Sequence, residues 1–241
     1  RNLLSALLCG ASAFALSFGS ASAAGLPSGA QYVSGHGSVH RSNQSIVVKQ
    51  SSTTGIIDWN VFSIGAKSSV TFRNGAGATL NRVTGGDLSR IAGELHATGS
   101  FYLLNGAGVI VSGTGHIVTG GNLVVSSGNL TDSAFDTGDR RLLNAKAAVI
   151  NRGSIASGGE TKLVGGSVIN AGTIRATQAK LYARGGEDLD SGTIAVAGDA
   201  RHDGRILMIA ANGRTRVTGS LVARNAGGAG EFDLPTDLFG R

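Results

Sequence analysis

Cysteine is all but missing: Cys9 is the only one in 241 residues. It falls within the first 24 residues, so the chain beyond them carries none. Such a chain has no disulfide framework and cannot be locked before it crosses a membrane. Proline occurs only twice against 39 glycines, which excludes a collagen-like chain and argues against Pro-rich disorder. Charged residues make up only 15%, and no run of five like charges occurs. The net charge of +6 is spread along the chain, whereas nucleic-acid proteins gather basic residues on one face. Nucleic acid is therefore not an expected partner, and the basic groups are expected at solvent-facing strand ends, where they aid solubility. Beyond the first 24 residues no stretch approaches the ~20 apolar residues of a membrane-spanning helix.

What is present is glycine together with Val, Ile, Thr and Ser, a composition suited to short strands and tight turns. Residues 1–24 read as a secretory signal peptide. Arg1 supplies the positive end, Leu3 to Leu8 and Ala13 to Leu16 the apolar stretch, and Ala21-Ser22-Ala23 the cleavage site. The small residues from Gly19 to Ala23 disfavour a buried helix or a membrane anchor. Leu8 before Cys9 is too large for a lipoprotein site.

Beyond Ala30 alternation replaces any helical period. Ser45–Gln50, Ser69–Phe72, Ser100–Leu104 and Val109–Val111 read as short strands bounded by Gly, Asn or Ser. Asn151-Arg-Gly-Ser-Ile155, Asn170-Ala-Gly-Thr-Ile174 and Asp190-Ser-Gly-Thr-Ile194 repeat one another. Their glycines step by 172 − 153 = 19 and 192 − 172 = 20, and Gly219-Ser-Leu221 looks like a further copy. Between them lie Thr161-Lys-Leu163, Ala179-Lys-Leu181 and Gly204-Arg-Ile206, read as copies of a second strand. A period near 20 residues with two or three strands per turn is the mark of a solenoid. The Leu/Asn framework of leucine-rich repeats is missing, and a β-sandwich would not repeat three times. The expected fold is all-β, a right-handed parallel β-helix with an N-terminal β cap and extra-helical strands.

In that fold Ile155, Ile174 and Ile194 stack inward, and Asn at a coil corner takes a left-handed conformation or bonds the backbone of the next coil. Trp59 is expected to be buried, anchoring the cap. The division expected is 25–130 for the cap and first coils, 131–230 for repeating coils, and 231–241 for a linker or truncated end. Asn225 to Gly230 reads as loosening into that linker.

Little in the chain suggests chemistry. His36 and His40 would lie ~13 Å apart along a strand, too far for one metal. There is no G-x-S-x-G elbow and no phosphate loop. The glycine-rich Gly75-Ala-Gly77 and Gly106-Ala-Gly108 precede no helix. Glu187, Asp188 and Asp190 form the only dense acidic group, read as a solvated corner rather than the carboxylate pair of a glycosidase. No catalytic residue, metal ligand or cofactor is expected.

Three stretches resemble the secretion domain of two-partner, filamentous-haemagglutinin-type exoproteins, nearest the branch of the high-molecular-weight adhesins and the haemopexin-binding exoprotein. They are Gly55-Ile-Ile-Asp-Trp-Asn-Val-Phe-Ser-Ile-Gly65, Leu80-Asn-Arg-Val-Thr-Gly-Gly-Asp-Leu-Ser-Arg-Ile-Ala-Gly-Glu-Leu95, and Gly99-Ser-Phe-Tyr-Leu-Leu-Asn-Gly-Ala-Gly-Val109 with its continuation to Ser127. The resemblance implies export through the periplasm, recognition by an outer-membrane transporter with periplasmic POTRA-type domains, and folding of the β-helix outside the cell. It implies secretion or attachment at the bacterial surface, with host-cell glycan or protein met through downstream regions. It also directs attention to Asn81, Arg82, Ser89, Arg90, Asn105 and Gly108 as transporter-recognition residues, read as outward polar groups beside apolar Val83 and Ile91. For Asn81 and Asn105 a corner satisfied within the coil is the alternative. One departure stands out: Gly106 replaces the proline that the family usually places after this asparagine. A short free-standing β-helical adhesin or ligand-binding exoprotein is the competing reading.

Overall fold

Strands of three to six residues alternate inward and outward side chains, and a chain of such strands buries its inward side by winding upon itself. The computed structural model describes residues 25–225 and 227–234; the signal-peptide expectation lies outside these. Glu94–Ala97, Ser100–Asn105 and Val109–Val111 form three sides of one coil. His116–Thr119 and Leu123–Ser126 then lie parallel on the first two, one coil further along. Repetition of this step makes three sheets of ten, nine and six strands in a solenoid of about 8 turns. The chain is a parallel β-helix, as its 19- to 20-residue repeat implies.

Register decides the core. On the ten-strand sheet Ile46, Val70, Leu95, Ile117, Ile155, Ile174 and Ile194 stand directly above one another. None is more than 1% exposed, so the three repeat isoleucines stack inward as expected. At the corner before this sheet, a Cβ on Gly172 or Gly192 would come within 2.2 Å of the glycine carbonyl one coil below. The repeated glycine is thus a requirement of coil-to-coil approach.

The corner asparagines reach the backbone of the stacked coil as expected, Asn151 Nδ2 donating to the Thr173 carbonyl at 3.4 Å, but without a left-handed backbone. Asn144 is the only non-glycine with positive φ among the described residues. The Asn151, Asn170 and Asp190 side chains turn inward and bond one another: Asn151 Nδ2 donates to Asn170 Oδ1 at 2.7 Å, and Asn170 Nδ2 to Asp190 Oδ1 at 2.8 Å. On the nine-strand sheet Ala179 pairs with Ile206 and Leu181 with Met208. The Ile206 copy is therefore shifted by two residues from the register read in the sequence. A shift of two keeps the same face inward, which is why alternation could not reveal it.

Antiparallel pieces flank the coils at both ends of the described residues. Gln31–Ser34 pairs with Thr54–Trp59, and Gly37–Arg41 with Ser45–Gln50. Trp59 is 1% exposed and meets Phe62 edge-on at 5.3 Å, while Phe62 and Phe72 both approach Phe101. At the far end Ser220–Asn225 and Gly228–Ala229 pair antiparallel, and Glu231–Asp233 adds in parallel to Arg205–Ala210. The expected loosening into a linker from Asn225 is thus replaced by a hairpin and one more strand.

An excursion between Leu123–Ser126 and Val149–Asn151 leaves the solenoid. It carries a short helix, Asp132–Thr137, capped by Thr131 and by Gly138 in the left-handed region, and one antiparallel bridge between Asn129 and Leu143. This short helix was not expected from the sequence. Its Phe135, with Leu130, Leu142 and Ala145, covers Ile56, Leu80, Tyr102, Leu104 and Val124, which face outward from the nine-strand sheet.

Candidate recognition region

The six residues singled out in the sequence fall on two neighbouring coils. Asn81 sits on Ala78–Val83 at an inward rung between Ile57 and Leu103 and is 0% exposed. Its Oδ1 accepts from Trp59 Nε1 at 3.0 Å, and its Nδ2 donates to the Tyr102 carbonyl at 3.3 Å. A buried indole N–H requires an acceptor, and Asn81 supplies it.

Arg82, next along, faces outward. Its Nε and Nη2 hold both oxygens of Asp58 at 2.9 and 3.1 Å, and its Nη1 reaches Asp132 Oδ1 at 2.6 Å. Partial burial alone would lower the guanidinium pKa, but the two carboxylates outweigh it and hold the group charged. Arg82 therefore clips the first turn of the helix to the sheet.

Asn105 ends the strand Ser100–Asn105 and is 1% exposed. Its Nδ2 donates to the Asp87 carbonyl and to Ser89 Oγ at 2.9 and 2.8 Å, and its Oδ1 accepts from the Ala107 amide at 2.9 Å. Ser89 is 0% exposed. Gly108 closes the turn at φ 101°, where a Cβ would stand 2.7 Å from the Ala148 carbonyl. Gly106 lies open at the same turn with nothing within 4 Å of a Cβ.

The outward placement read for Asn81, Ser89 and Asn105 is therefore corrected: all three point into the fold, and for Asn81 and Asn105 the alternative, groups satisfied within the coils, is what the structure shows. Arg90 alone of the six faces outward with no side-chain partner among the described residues; its amide donates to Ser63 Oγ at 3.0 Å. Asn74 went unnoticed in the sequence. It staples an earlier corner, donating to Thr79 Oγ1 and accepting from the Gly99 amide at 2.7 Å. The signal was available: Asn74-Gly-Ala-Gly77 repeats Asn105-Gly-Ala-Gly108, and in both the last amide donates to the asparagine carbonyl.

Of the acidic group only Glu187 is exposed as read; the two aspartates are no solvated corner. Asp188 is 0% exposed and Asp190 1%, both inward on Asp188–Asp190. Burial, with Asp190 adding to it, pushes the Asp188 carboxyl up to about 8. Neither of its oxygens has a hydrogen-bond partner of ordinary geometry; the nearby Ile209 amide offsets the rise only in part. Burial also raises Asp190, against bonds from Asn170 and the Gly192 amide.

Comparison with known proteins agrees with this architecture. The family model of the TPS secretion domain matches residues 23–230. A heme/hemopexin-binding protein of Haemophilus influenzae strain Rd is 32% identical over 178 residues, covering 69% of this chain and 20% of that protein. A second Haemophilus influenzae heme/hemopexin-binding protein is 45% identical over 67 residues, 27% of this chain and 7% of its own length. This chain thus spans about a fifth or less of these relatives. Among solved structures, the HMW1 secretion domain from Haemophilus influenzae superposes with a TM-score of 0.65 at 20% identity, covering 83% of this chain and 67% of that one, a likeness of fold. With a family match over most of its length and the same solenoid, the chain belongs to the TPS secretion domains, the haemagglutinin-type family whose members pass through the periplasm to a cognate outer-membrane transporter.

Proposed function

We propose that the segment from Asn81 to Gly108 is read by the POTRA-type periplasmic domains of the transporter while the chain is still extended, and that the same residues then lock the first coils outside the cell. One observation carries this reading: Asn81, Ser89 and Asn105 are at most 1% exposed once folded, so a partner that uses them meets them before folding. An extended segment can be held by strand addition to a sheet edge, with alternate side chains read in pockets. Arg82 and Arg90 contribute positive charge to that segment. After folding, Arg82 turns to Asp58 and Asp132, and Asn105 to Ser89 and Asp87. We assign no catalytic role to the domain. Attachment at the cell surface we assign to regions outside this chain.

The test is secretion of an Arg82→Ala, Arg90→Ala double variant in cells carrying the cognate transporter, with thermal unfolding of the purified protein alongside. Export is expected to fall severalfold. The loss in stability is expected to stay near 1 kcal/mol, because the Arg82 ion pairs are partly exposed. Export at the normal level overturns the reading. Lost export with a collapsed melting temperature assigns these residues to the fold alone.

A further inference from the structure

A cleft of about 390 Å³ lies on the outer side of the nine-strand sheet, walled on one side by Leu130, Arg140 and Leu142 of the excursion and on the other by Asp199, Arg201 and His202. Its floor includes Tyr102, Val124 and Lys162, which stand in register on successive coils. The distribution of charge in it is uneven. Of the two carboxylates lining it, Glu160 is held by Lys180 at 2.5 Å. Asp199 accepts from the amides of Arg201 and His202 at 2.7 and 2.8 Å and from the His202 ring.

The cations have no carboxylate partners. Among the described residues no carboxylate lies within 4.0 Å of Arg140, Lys162 or Arg201. Arg140 stacks on Phe135 and Tyr102, at 4.3 and 5.5 Å from the ring centres, and its Nη1 donates to the Phe135 carbonyl at the end of the short helix, which leaves its charge without a carboxylate. Lys162 is half-buried, 5.7 Å from the centre of the Tyr182 ring. Burial lowers its pKa, Glu160 opposes the change, and Lys180 and Arg184 add to it. A half-buried ammonium without a counter-ion costs free energy that a bound anion would return. Hydrogen-bonding groups without protein partners share the cleft: Asn122 Nδ2, the Thr177 hydroxyl and Gln178 Oε1. The volume is that of a small-molecule site.

We propose that this cleft binds an acidic sugar, its carboxylate or sulfate held by Lys162, Arg140 and Arg201 and its hydroxyls by Asn122, Thr177 and Gln178. The charge requirement follows from three cations around one cleft with no carboxylate in contact. The sugar frame follows from the neutral donors and acceptors beside them, which a bare inorganic anion would leave unused.

The experiment is calorimetric titration of the purified chain with glucuronic acid, N-acetylneuraminic acid and N-acetylglucosamine 6-sulfate, with neutral N-acetylglucosamine and inorganic sulfate as comparisons. At least one acidic sugar is expected to bind, with affinity that falls as salt is raised. Lys162→Gln and Arg201→Gln are each expected to weaken it about tenfold, the order of one charge-assisted contact. Thermal midpoints are followed throughout. Should Lys162→Gln fold poorly, the exposed Arg201→Glu variant gives the same reading. On binding, the Lys162 ammonium, followed by NMR, should hold its proton to higher pH. No binding of any acidic sugar overturns the proposal. So does equal binding of the neutral sugar, binding of sulfate alone, or undiminished affinity in the folded variants.

Discussion

Asp188 occupies a rung held by Val149 and Val168 in the two coils below and by Thr215 in the coil above. A carboxyl there has no role in packing that valine would not fill. The ionisable side chains on the strands packed around it, Lys180, Tyr182, Arg205 and Arg216, stand on outward positions, while Asp190 adds its charge to the effect of burial. In the unfolded chain its carboxyl ionises near 3.8; in the folded chain it keeps its proton to about 8. Between these values the folded state binds more protons. Its contribution to stability is therefore greatest in acid, falls as pH rises from about 4 to 8, and is level above that. The loss across the range is on the order of a few kcal/mol. Urea unfolding between pH 5 and 8 is expected to show this decline. Asp188→Val should flatten it and stabilise the domain most at pH 8. A native chain equally stable at both ends of that range would contradict the assignment. Asn81 is the opposite case, a polar group on an apolar ladder whose partner, the Trp59 indole, is present and well placed.

At the scale of elements, the excursion is the one departure from the three-sided coil among the described residues that buries a second core. Tyr102 meets Phe135 edge-on at 5.2 Å, and Phe135 is 0% exposed. The helix has only six residues, too few to hold itself by backbone hydrogen bonds. It is held instead by its apolar face, by Arg82 to Asp132, and by a bond from Ser34 Oγ to Asp136. These attachments differ in weight. Phe135→Ala is expected to cost about 3 to 5 kcal/mol, the usual range for emptying a large buried site. The Arg82 ion pairs, part-exposed, are worth about 1 kcal/mol. Urea unfolding of the two single variants gives the comparison. An Arg82→Ala loss as large as that of Phe135→Ala would mean that the clip, not the apolar cover, holds the excursion.

At the scale of the molecule, each coil touches mainly its two neighbours, so stability is a sum of local terms along the axis. Those terms are unequal. The first coils hold Trp59, Phe62, Phe72 and Phe101 in one aromatic cluster. The last coils hold Asp188 and Asp190, and above them Thr215 and Val217 are only partly buried. Amide hydrogen exchange is therefore expected to be slowest in Ser69–Arg73, Glu94–Ala97 and Ser100–Asn105 and faster in Asp188–Asp190 and Thr215–Val217. Uniform protection from end to end would refute this gradient. The order suits a chain whose first coils form a base on which later ones stack.

How much of this was legible without coordinates depends on the range of the interaction. The spacing of Gly153, Gly172 and Gly192, with an isoleucine two residues after each, determined the coil and its inward ladder, because stacking reproduces the same local environment once per turn. The solitary Trp59 marked the apolar base for a similar reason: so large a ring in an aromatic-poor chain has few places to be buried. The directions of Asn81, Ser89 and Asn105 were decided only by the tertiary structure. Alternation along a strand says which residues share a face, not which face is inside when polar and apolar groups are mixed on it. For Asn81 the answer lies in an indole N–H 22 residues away, and for Asn105 in a serine on the coil beneath. The six-residue helix was hidden because its stability comes from Ile56, Leu80 and Tyr102 on distant strands rather than from any period of its own. The burial of Asp188 was hidden because an acidic residue reads as solvated until the rungs above and below it enclose it.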